Sequence, residues 1–350
     1  MSSVARVLVV DDSAYVRKVV KQMLARSPFI EVVGTARDGA EALELAEELR
    51  PDVITCDLNM PQVDGVEFVK AQMTRRPVPI IIISIANQAG EQVLAALDAG
   101  AIDFVQKPTA LATDKLLDIA EELVEKVKAA AQSPVRQRPR RPERPIVAVA
   151  PARPARVASA ERADVLVIGT STGGPQALKI VIPSLPADCP VPVAIVLHMP
   201  VGYTEMYARK LNEMSALTVI ESQGGEEVKR GIAYLAPAGR HITFRRDPDG
   251  TVRTHLDVRP LDTPHRPSVD VLFHSAADVY GGRVLAVVMT GMGADGREGS
   301  AWIKAKGGEV ITEAEESCVV YGMPRSIVEA GLSDQSVSLA DIPQAIMDRL

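Results

Sequence analysis

The chain has 350 residues, of which 47% are hydrophobic and 24% are charged, and its formal net charge is −6. This composition is that of a globular protein long enough for two or three domains, and the acidic balance gives no support to general nucleic-acid binding. Three widely spaced cysteines argue against a disulfide framework or a zinc site. Neither a membrane-spanning run nor a signal peptide is recognisable, so we expect a cytoplasmic protein without direct membrane insertion.

Strand-like and helix-like segments alternate through the first third of the chain. Five apolar runs read as buried strands: Val4–Val10, Ile30–Ala36, Val53–Cys56, Ile80–Ser84 and Ile102–Val105. Segments with helical spacing of Ala, Leu and Val lie at 14–26, 38–49, 64–74, 90–98 and 112–131. Five β-α repeats predict a doubly wound parallel sheet with right-handed crossovers.

Acidic and polar side chains stand where these predicted strands end. The residues concerned are Asp11, Asp12, Asp57, Ser84 and Lys107. Because the carboxyl ends of parallel strands share one edge of a sheet, the pattern predicts a common pocket. Mg²⁺ would relieve the repulsion among the three carboxylates. A carboxylate that lies beside both Mg²⁺ and the Lys107 ammonium group is placed to attack a phosphoryl donor. Taken singly, the Asp-Asp pair reads as a helix cap and the Lys-Pro pair as a loop; the full set is far more specific.

Residues 1–128 resemble a response-regulator receiver domain. The resemblance rests on Val9–Ser13, Asp57–Gly65, Ser84 and Asp103–Pro108. It implies a flavodoxin-like fold with phosphorylation of Asp57. The Mg²⁺ ligands it implies are Asp12, Asp57 and the backbone carbonyl of Asn59, with Asp11 assisting. It also implies that Ser84 meets the phosphoryl group, that Lys107 pairs with it, and that Phe104 is the aromatic residue whose rotation follows phosphorylation.

Residues 129–162 interrupt the alternation and are predicted to be a linker. Within 133–162 there are six prolines and eight arginines against two glutamates. Proline stiffens the chain and like charges repel, so this segment should be extended. Two interpretations remain open, a solvated tether and a basic arm that touches an acidic partner or the neighbouring domain.

Residues 163–350 resume the strand-helix alternation and form the predicted second domain. Near-continuous apolar runs at Val165–Gly169, Val191–Leu197 and Val284–Thr290 are typical of central parallel strands. The first run leads directly into the glycine-lined turn around Ser171, which fits the G-x-S-x-G nucleophile elbow. This pattern indicates acyl transfer, although a glycine-rich turn before a helix also suits phosphate binding.

The other two apolar runs end near a base and an acid. His198 follows the second run, and Asp295 lies in the glycine-rich loop after the third. If the three strands are neighbours, both side chains lie close to Ser171. A serine nucleophile needs a base to take its proton, and the base needs an acid to orient it. Backbone N–H groups of Thr172 and Met292 are candidates for an oxyanion hole. Alone, His198 could be structural and Asp295 a helix cap; the convergence favours catalysis.

Residues 163–350 resemble the catalytic domain of the chemotaxis protein-glutamate methylesterase family. The segments that carry this resemblance are Ile168–Pro175, His198–Pro200, Tyr234–His241, Arg266–Phe273, Met289–Gly296 and Val320–Pro324. It implies a Rossmann-like methylesterase domain with Ser171 as nucleophile, His198 as base and Asp295 as orienting acid. Two departures are mild: Thr170 stands where a smaller residue is usual, and the linker is long and rich in arginine.

Together the resemblances imply a phosphorylation-activated serine hydrolase. It would remove methyl groups from γ-glutamyl methyl esters of chemoreceptors and deamidate receptor glutamines, giving sensory adaptation. The implied partners are methyl-accepting chemotaxis receptors and a chemotaxis histidine kinase, with Mg²⁺ in the receiver, no cofactor in the esterase and no nucleic acid. Two alternatives are a noncatalytic receptor-binding adaptor and a response regulator with a DNA-binding output, which the acidic second half disfavours.

Overall fold

The computed structural model of the protein describes residues 4–84, 90–107, 113–133 and 162–350. Five strands form the first sheet: β1 (Ala5–Val10), β2 (Ile30–Ala36), β3 (Val53–Cys56), β4 (Ile80–Ser84) and β5 (Asp103–Gln106). All neighbouring strands are parallel, in the order β2-β1-β3-β4-β5. The chain order reverses between β1 and β3, and this switch point opens a crevice at the carboxyl ends of the strands.

Five helices cover this sheet on both faces: α1 (Ala14–Leu24), α2 (Gly39–Leu49), α3 (Gly65–Arg75), α4 (Gly90–Ala99) and α5 (Thr113–Gln132). The apolar faces of α1 and α5 pack on one side, and those of α2, α3 and α4 on the other. Asp38 and Asp64 cap α2 and α3 by accepting backbone N–H groups at 2.9 and 2.8 Å. Helix α5 continues past the predicted domain boundary at residue 128, and most of the predicted linker, 134–161, lies outside the described residues.

Nine strands follow in the second part of the chain: β6 (Val165–Thr170), β7 (Val193–Leu197), β8 (Thr218–Glu221), β9 (Ile232–Leu235), β10 (His241–Arg246), β11 (Val252–Asp257), β12 (Val284–Val288), β13 (Glu309–Glu313) and β14 (Gln335–Val337). Seven of them form a parallel sheet in the order β14-β13-β12-β6-β7-β9-β8. The prediction of two doubly wound parallel sheets is therefore confirmed. The antiparallel hairpin β10–β11 was not predicted.

The helices of the second domain are α6 (Gly174–Val181), α7 (Thr204–Glu213), α8 (Val269–Tyr280), α9 (Arg297–Lys306), α10 (Met323–Glu329) and α11 (Ile342–Met347), with a 3₁₀ turn at Ile182–Ser184. Two strands are shorter than predicted, each for a local reason. Strand β7 begins after Pro192, which has no N–H for a sheet hydrogen bond. Strand β12 ends at Val288, because the Thr290 N–H donates to the side chain of Glu313 instead of to the backbone of a neighbouring strand.

The two domains share an apolar contact. Helix α4 of the first domain packs against α6 and α7 of the second, and buried side chains run continuously from one core into the other. Among the described helices, none combines the length and the apolar character that crossing a membrane requires.

Candidate active site

The three strands that carry the predicted triad are neighbours at the centre of the second sheet. Strand β6 lies between β12 and β7, with Gly169 level with Val288 on one side and Val196 on the other. Ser171, His198 and Asp295 follow the carboxyl ends of β6, β7 and β12, so the sheet brings all three to one edge. Ser171 and His198 line the same cavity, which has a volume of about 540 Å³.

Asp295 is held in a fixed orientation against the imidazole of His198. The Asp295 Oδ2 atom lies 2.8 Å from His198 Nε2 and accepts the Val269 N–H at 2.8 Å. Its Oδ1 atom accepts the Ser268 hydroxyl and the Asp270 N–H, both at 2.9 Å. Burial raises the pKa of Asp295, but the hydrogen bond and charge of His198 and the backbone donors outweigh it and hold that pKa below its ordinary value.

Ser171 and His198 line the same cavity, but their described side chains are not hydrogen-bonded to each other. Within the described residues, no hydrogen bond joins Ser171 Oγ to the His198 ring, and the buried His198 Nδ1 has no partner. With Nε2 on Asp295, Nδ1 is the ring nitrogen left to accept a proton. Catalytic hydrogen bonds are often long in free enzymes and tighten when substrate binds, so this geometry fits a resting state.

Two peptide planes beside Ser171 are anchored through their carbonyl groups. The Ser171 carbonyl accepts the Gly174 N–H at 2.7 Å, and the Gly291 carbonyl accepts the Met323 N–H at 2.8 Å. In a trans peptide the N–H points away from the carbonyl, so these bonds direct the N–H groups of Thr172 and Met292 the opposite way. Neither of these N–H groups has a hydrogen-bond partner in the described ranges, as an oxyanion hole requires.

The close approach of the two loops depends on glycine. A Cβ built on Gly291 would lie 2.9 Å from the Cβ of Ser171 and 2.4 Å from the sulfur of Met323. Gly173 and Gly293, beside the two candidate oxyanion donors, have φ values of +81° and +82°, in the region that favours glycine.

Sequence reasoning missed three residues of this site. His265 stacks on the His198 ring with centroids 4.1 Å apart, and burial together with the charge of His198 lowers the pKa of His265 to about 4. The buried His241 accepts the Ser268 N–H at its Nδ1, and the Ser268 hydroxyl in turn donates to Asp295. None of these residues follows the end of a predicted strand: His265 lies in a loop, His241 begins β10 and Ser268 precedes α8. The available signal was their place in or beside the segments that carried the family resemblance.

The first domain gathers its predicted acidic residues as well. Carboxylate oxygens of Asp11, Asp12 and Asp57 lie within 4.8 Å of one another. The Lys107 ammonium bridges Asp11 and Asp57 at 2.7 and 2.9 Å. Burial raises the pKa of Asp11, although Lys107 opposes that shift. Ser84 Oγ is fully buried at the end of β4 without a hydrogen-bond partner among the described residues.

The other predicted receiver residues occupy different settings. Asn59 is exposed in the loop that follows β3 and Asp57. Phe104 is buried and contacts the second domain, where its ring centroid lies 4.7 Å from that of Tyr203. Tyr203 stands at the start of α7, a few residues after His198. The predicted switch residue is thus part of the contact between the domains.

The first domain also touches the turn around Ser171 directly. The Thr172 hydroxyl donates to Asp103 Oδ2 at 2.5 Å, and the Gly173 N–H donates to the Ile102 carbonyl at 3.2 Å. The cavity that holds Ser171 and His198 is walled on one side by first-domain residues: Gln106, Lys107, Ile119, Glu122 and Lys126. In this arrangement the first domain covers the catalytic cleft.

Known proteins share both parts of this chain. The CheB methylesterase family profile matches residues 166–346, and the response regulator receiver domain profile matches residues 7–121. A protein of Myxococcus xanthus named protein-glutamate methylesterase/protein-glutamine glutaminase 5 is 48% identical over 335 residues, which is 95% of this chain and 94% of that protein.

Two further similarities come from Thermotoga maritima. Its protein-glutamate methylesterase/protein-glutamine glutaminase is 40% identical over 346 residues, covering 99% of this chain and 98% of that protein. The crystal structure of the Thermotoga maritima CheB methylesterase catalytic domain aligns with a TM-score of 0.52 and 41% identity, over 54% of this chain and 99% of that one. The chain therefore belongs to the CheB methylesterase family and carries a response-regulator receiver domain ahead of its catalytic domain.

Proposed function

We propose that this protein hydrolyses γ-glutamyl methyl esters on methyl-accepting chemoreceptors and deamidates receptor glutamines, under the control of phosphorylation at Asp57. The observation that carries the proposal is the hydrogen bond of 2.8 Å between His198 and Asp295 beside Ser171, at the joint edge of three adjacent parallel strands. Relatives that match nearly the whole chain are named for these two activities.

The reaction proceeds in two halves through an acyl-enzyme. Ser171 Oγ attacks the ester carbonyl carbon while His198 takes the hydroxyl proton, and the N–H groups of Thr172 and Met292 stabilise the oxyanion. Collapse breaks the C–O bond to the methoxy group, which leaves as methanol with that proton. Water then attacks the acyl carbon, His198 accepts its proton and returns it to Ser171, and the receptor glutamate is released. A glutamine substrate follows the same route and loses ammonia.

Asp295 orients the imidazole and stabilises its charged form without taking the proton itself. Its low pKa keeps the carboxylate ionised throughout the cycle. His265, whose pKa of about 4 leaves it neutral at physiological pH, supplies an uncharged surface against His198.

Replacing the nucleophile tests the assignment. We expect the Ser171→Ala variant to lose methanol release from methylated receptor membranes, and the wild type to react with a serine-directed fluorophosphonate at Ser171. A Ser171→Ala protein that still demethylates receptors would refute the mechanism. A wild type that is neither labelled nor active would favour the alternative in which this domain is a noncatalytic receptor-binding adaptor.

The acidic pocket of the receiver fits Mg²⁺. Hard oxygen ligands from Asp11, Asp12 and Asp57 converge within 4.8 Å, and the buried Ser84 hydroxyl lacks a partner in the described part of the chain. Asp12, Asp57 and the Asn59 carbonyl would hold the ion with Asp11 assisting, and when bound it offsets charge on the phosphoryl oxygens. Lys107 forms an ion pair with Asp57 at 2.9 Å, and Ser84 can donate to a phosphoryl oxygen.

We further propose that phosphorylation of Asp57, with a chemotaxis histidine kinase as donor, loosens the receiver from the catalytic cleft. The Phe104 ring packs on Tyr203, and Asp103 binds Thr172 in the nucleophile turn. A change in the Phe104 side chain would therefore disturb both the wall of the cleft and the turn that carries Ser171. Cleavage of an ester adds one negative charge to a receptor helix, which is a physical means of changing helix packing.

A further inference from the structure

Thr290 connects the two loops that hold the candidate oxyanion donors. The residue is 1% exposed and lies between the end of β12 and Gly291. Its carbonyl accepts the Ser171 N–H at 3.1 Å and the Thr170 hydroxyl at 2.7 Å. Its N–H donates to the fully buried Glu313 at 2.8 Å, which anchors Thr290 to β13.

The Thr290 side chain makes a second set of contacts that only a hydroxyl can make. Thr290 Oγ1 donates to the Thr172 carbonyl at 2.9 Å and accepts the Val320 N–H at 3.0 Å. One hydroxyl has a single proton to donate and lone pairs to accept with, so both bonds can exist together. All of these groups are buried, so removal of the hydroxyl would leave a carbonyl and an N–H without partners.

These bonds link the two sides of the oxyanion hole. On one side, Thr172 supplies a candidate donor and is tied to Thr290 through its carbonyl. On the other side, Val320 accepts the Gly291 N–H at 3.0 Å, and Gly291 shares a peptide bond with Met292, the second candidate donor. The hydroxyl of Thr290 thus joins the Thr172 turn to the segment that locates Met292.

We propose that Thr290 is a positioning residue whose hydroxyl fixes the spacing between the Thr172 and Met292 N–H groups. The inference rests on the proposed esterase function, since it assigns Thr290 to the oxyanion hole of that site. A displacement of about 1 Å in such a donor can cost roughly 100-fold in rate, because the donor must meet the charge that develops in the transition state. The effect should therefore appear in kcat rather than in KM.

Three substitutions in the full-length protein test this proposal. Thr290→Val removes the hydroxyl at nearly constant shape, and Thr290→Ser retains it. Thr312→Val is the matched control, because Thr312 is equally buried on the adjacent strand β13 and its hydroxyl contacts Ser333 instead of the nucleophile turn. Each variant is assayed with the same phosphodonor and Mg²⁺ for methanol release, for the rate of fluorophosphonate labelling of Ser171, and for thermal stability.

We expect Thr290→Val to lower kcat and the labelling rate by roughly 10- to 100-fold with little change in KM. Thr290→Ser should restore most of both rates, and Thr312→Val should retain them even if its stability falls as far. Equal rates in Thr290→Val and Thr312→Val would overturn the proposal, as would a Thr290→Ser variant as impaired as Thr290→Val. If the wild type is labelled but releases no methanol, the proposed substrate is wrong, and the labelling rates still decide the role of Thr290.

Discussion

The carboxylate of Asp295 illustrates how single residues build this site. It accepts three hydrogen bonds besides its contact with His198, so its position is fixed independently of the imidazole. Ser268, one of the donors, also caps α8 through its hydroxyl and is itself held by the buried His241. The site thus rests on a chain of polar contacts that extends from the hairpin β10–β11 to the imidazole.

Changing this carboxylate to an amide should impair catalysis more than stability. In Asp295→Asn, the amide can donate to the imidazole and select the wrong tautomer, so we expect kcat to fall by roughly three to four orders of magnitude. Asp278→Asn on α8, which contacts Trp302 instead, is the control and should keep its activity. Methanol release measured under saturating substrate would decide; a loss below tenfold in Asp295→Asn would contradict the assignment of Asp295.

His265 should make the folded protein sensitive to acid. Burial lowers its pKa from 6.5 in an ordinary setting to about 4, so between these values the unfolded chain binds a proton that the folded protein does not. Stability is therefore expected to fall as the pH drops from about 6.5 to about 4, and His265→Gln should weaken that dependence. Urea unfolding across this range provides the measurement, and an unchanged pH dependence in the variant would contradict the effect.

The loops that carry Ser171 and Gly291 approach each other so closely that a side chain on Gly291 would clash. Gly291→Ala should remove nearly all activity, because its Cβ would fall 2.9 Å from that of Ser171 and 2.4 Å from the Met323 sulfur. Gly225→Ala is the control: its φ of +91° makes alanine unfavourable for the backbone, but its Cβ would meet nothing within 4 Å. We expect the control to lose some stability and keep its activity; an active Gly291→Ala would show that the loops are not so constrained.

Long buried strands were the part of the fold that sequence predicted well. The runs leading to Ser171 and His198 consist almost entirely of buried β-branched and aliphatic residues, so their strand character could be read directly and their carboxyl ends to within one residue. The hairpin β10–β11 escaped prediction because each of its six-residue strands mixes buried with partly or fully exposed residues in no regular order, and charged residues lie at its tip. Short strands of this kind depend on tertiary contacts.

The candidate site likewise contains some residues whose place the sequence predicted and others whose place it did not. The convergence of Ser171, His198 and Asp295 could be predicted, because adjacent parallel strands end at one edge. The stacking of His265 and the cross-links of Thr290 depend on the path of long loops and on contacts between residues far apart in sequence. Local periodicity in the sequence carries no information about either contact. The lack of a hydrogen bond between the described side chains of Ser171 and His198 is likewise determined by the tertiary structure.

At the scale of the whole molecule, the receiver is joined to the catalytic domain by ionic as well as apolar contacts. Asp98 at the end of α4 forms ion pairs with Lys179 on α6 and Lys210 on α7. These contacts hold α4 against α6, which follows Ser171 along the chain, and against α7, which follows His198. Together with Phe104 on Tyr203, they stabilise the arrangement in which the cleft is covered.

Reversing the charge of Asp98 should activate the protein without phosphorylation. Asp98→Lys would place three ammonium groups together, which favours separation of α4 from the second domain. We expect a severalfold rise in methanol release in the absence of phosphodonor. Glu48→Lys makes the same change on an exposed position of α2, whose described residues have no ion pair with the second domain, and should leave the basal rate unchanged. Equal basal rates in both variants would argue against the ionic contact as a restraint.

Control of the esterase by the receiver is measured by the initial rate of methanol release from methylated chemoreceptor membranes, with and without a small phosphodonor and Mg²⁺. The full-length wild type and Asp57→Asn are compared at equal concentration. We expect a low rate in the wild type that rises many-fold on addition of phosphodonor, and a low rate in Asp57→Asn that does not change. A wild-type rate that is the same in both conditions, or an Asp57→Asn variant that is fully activated, would contradict this expectation.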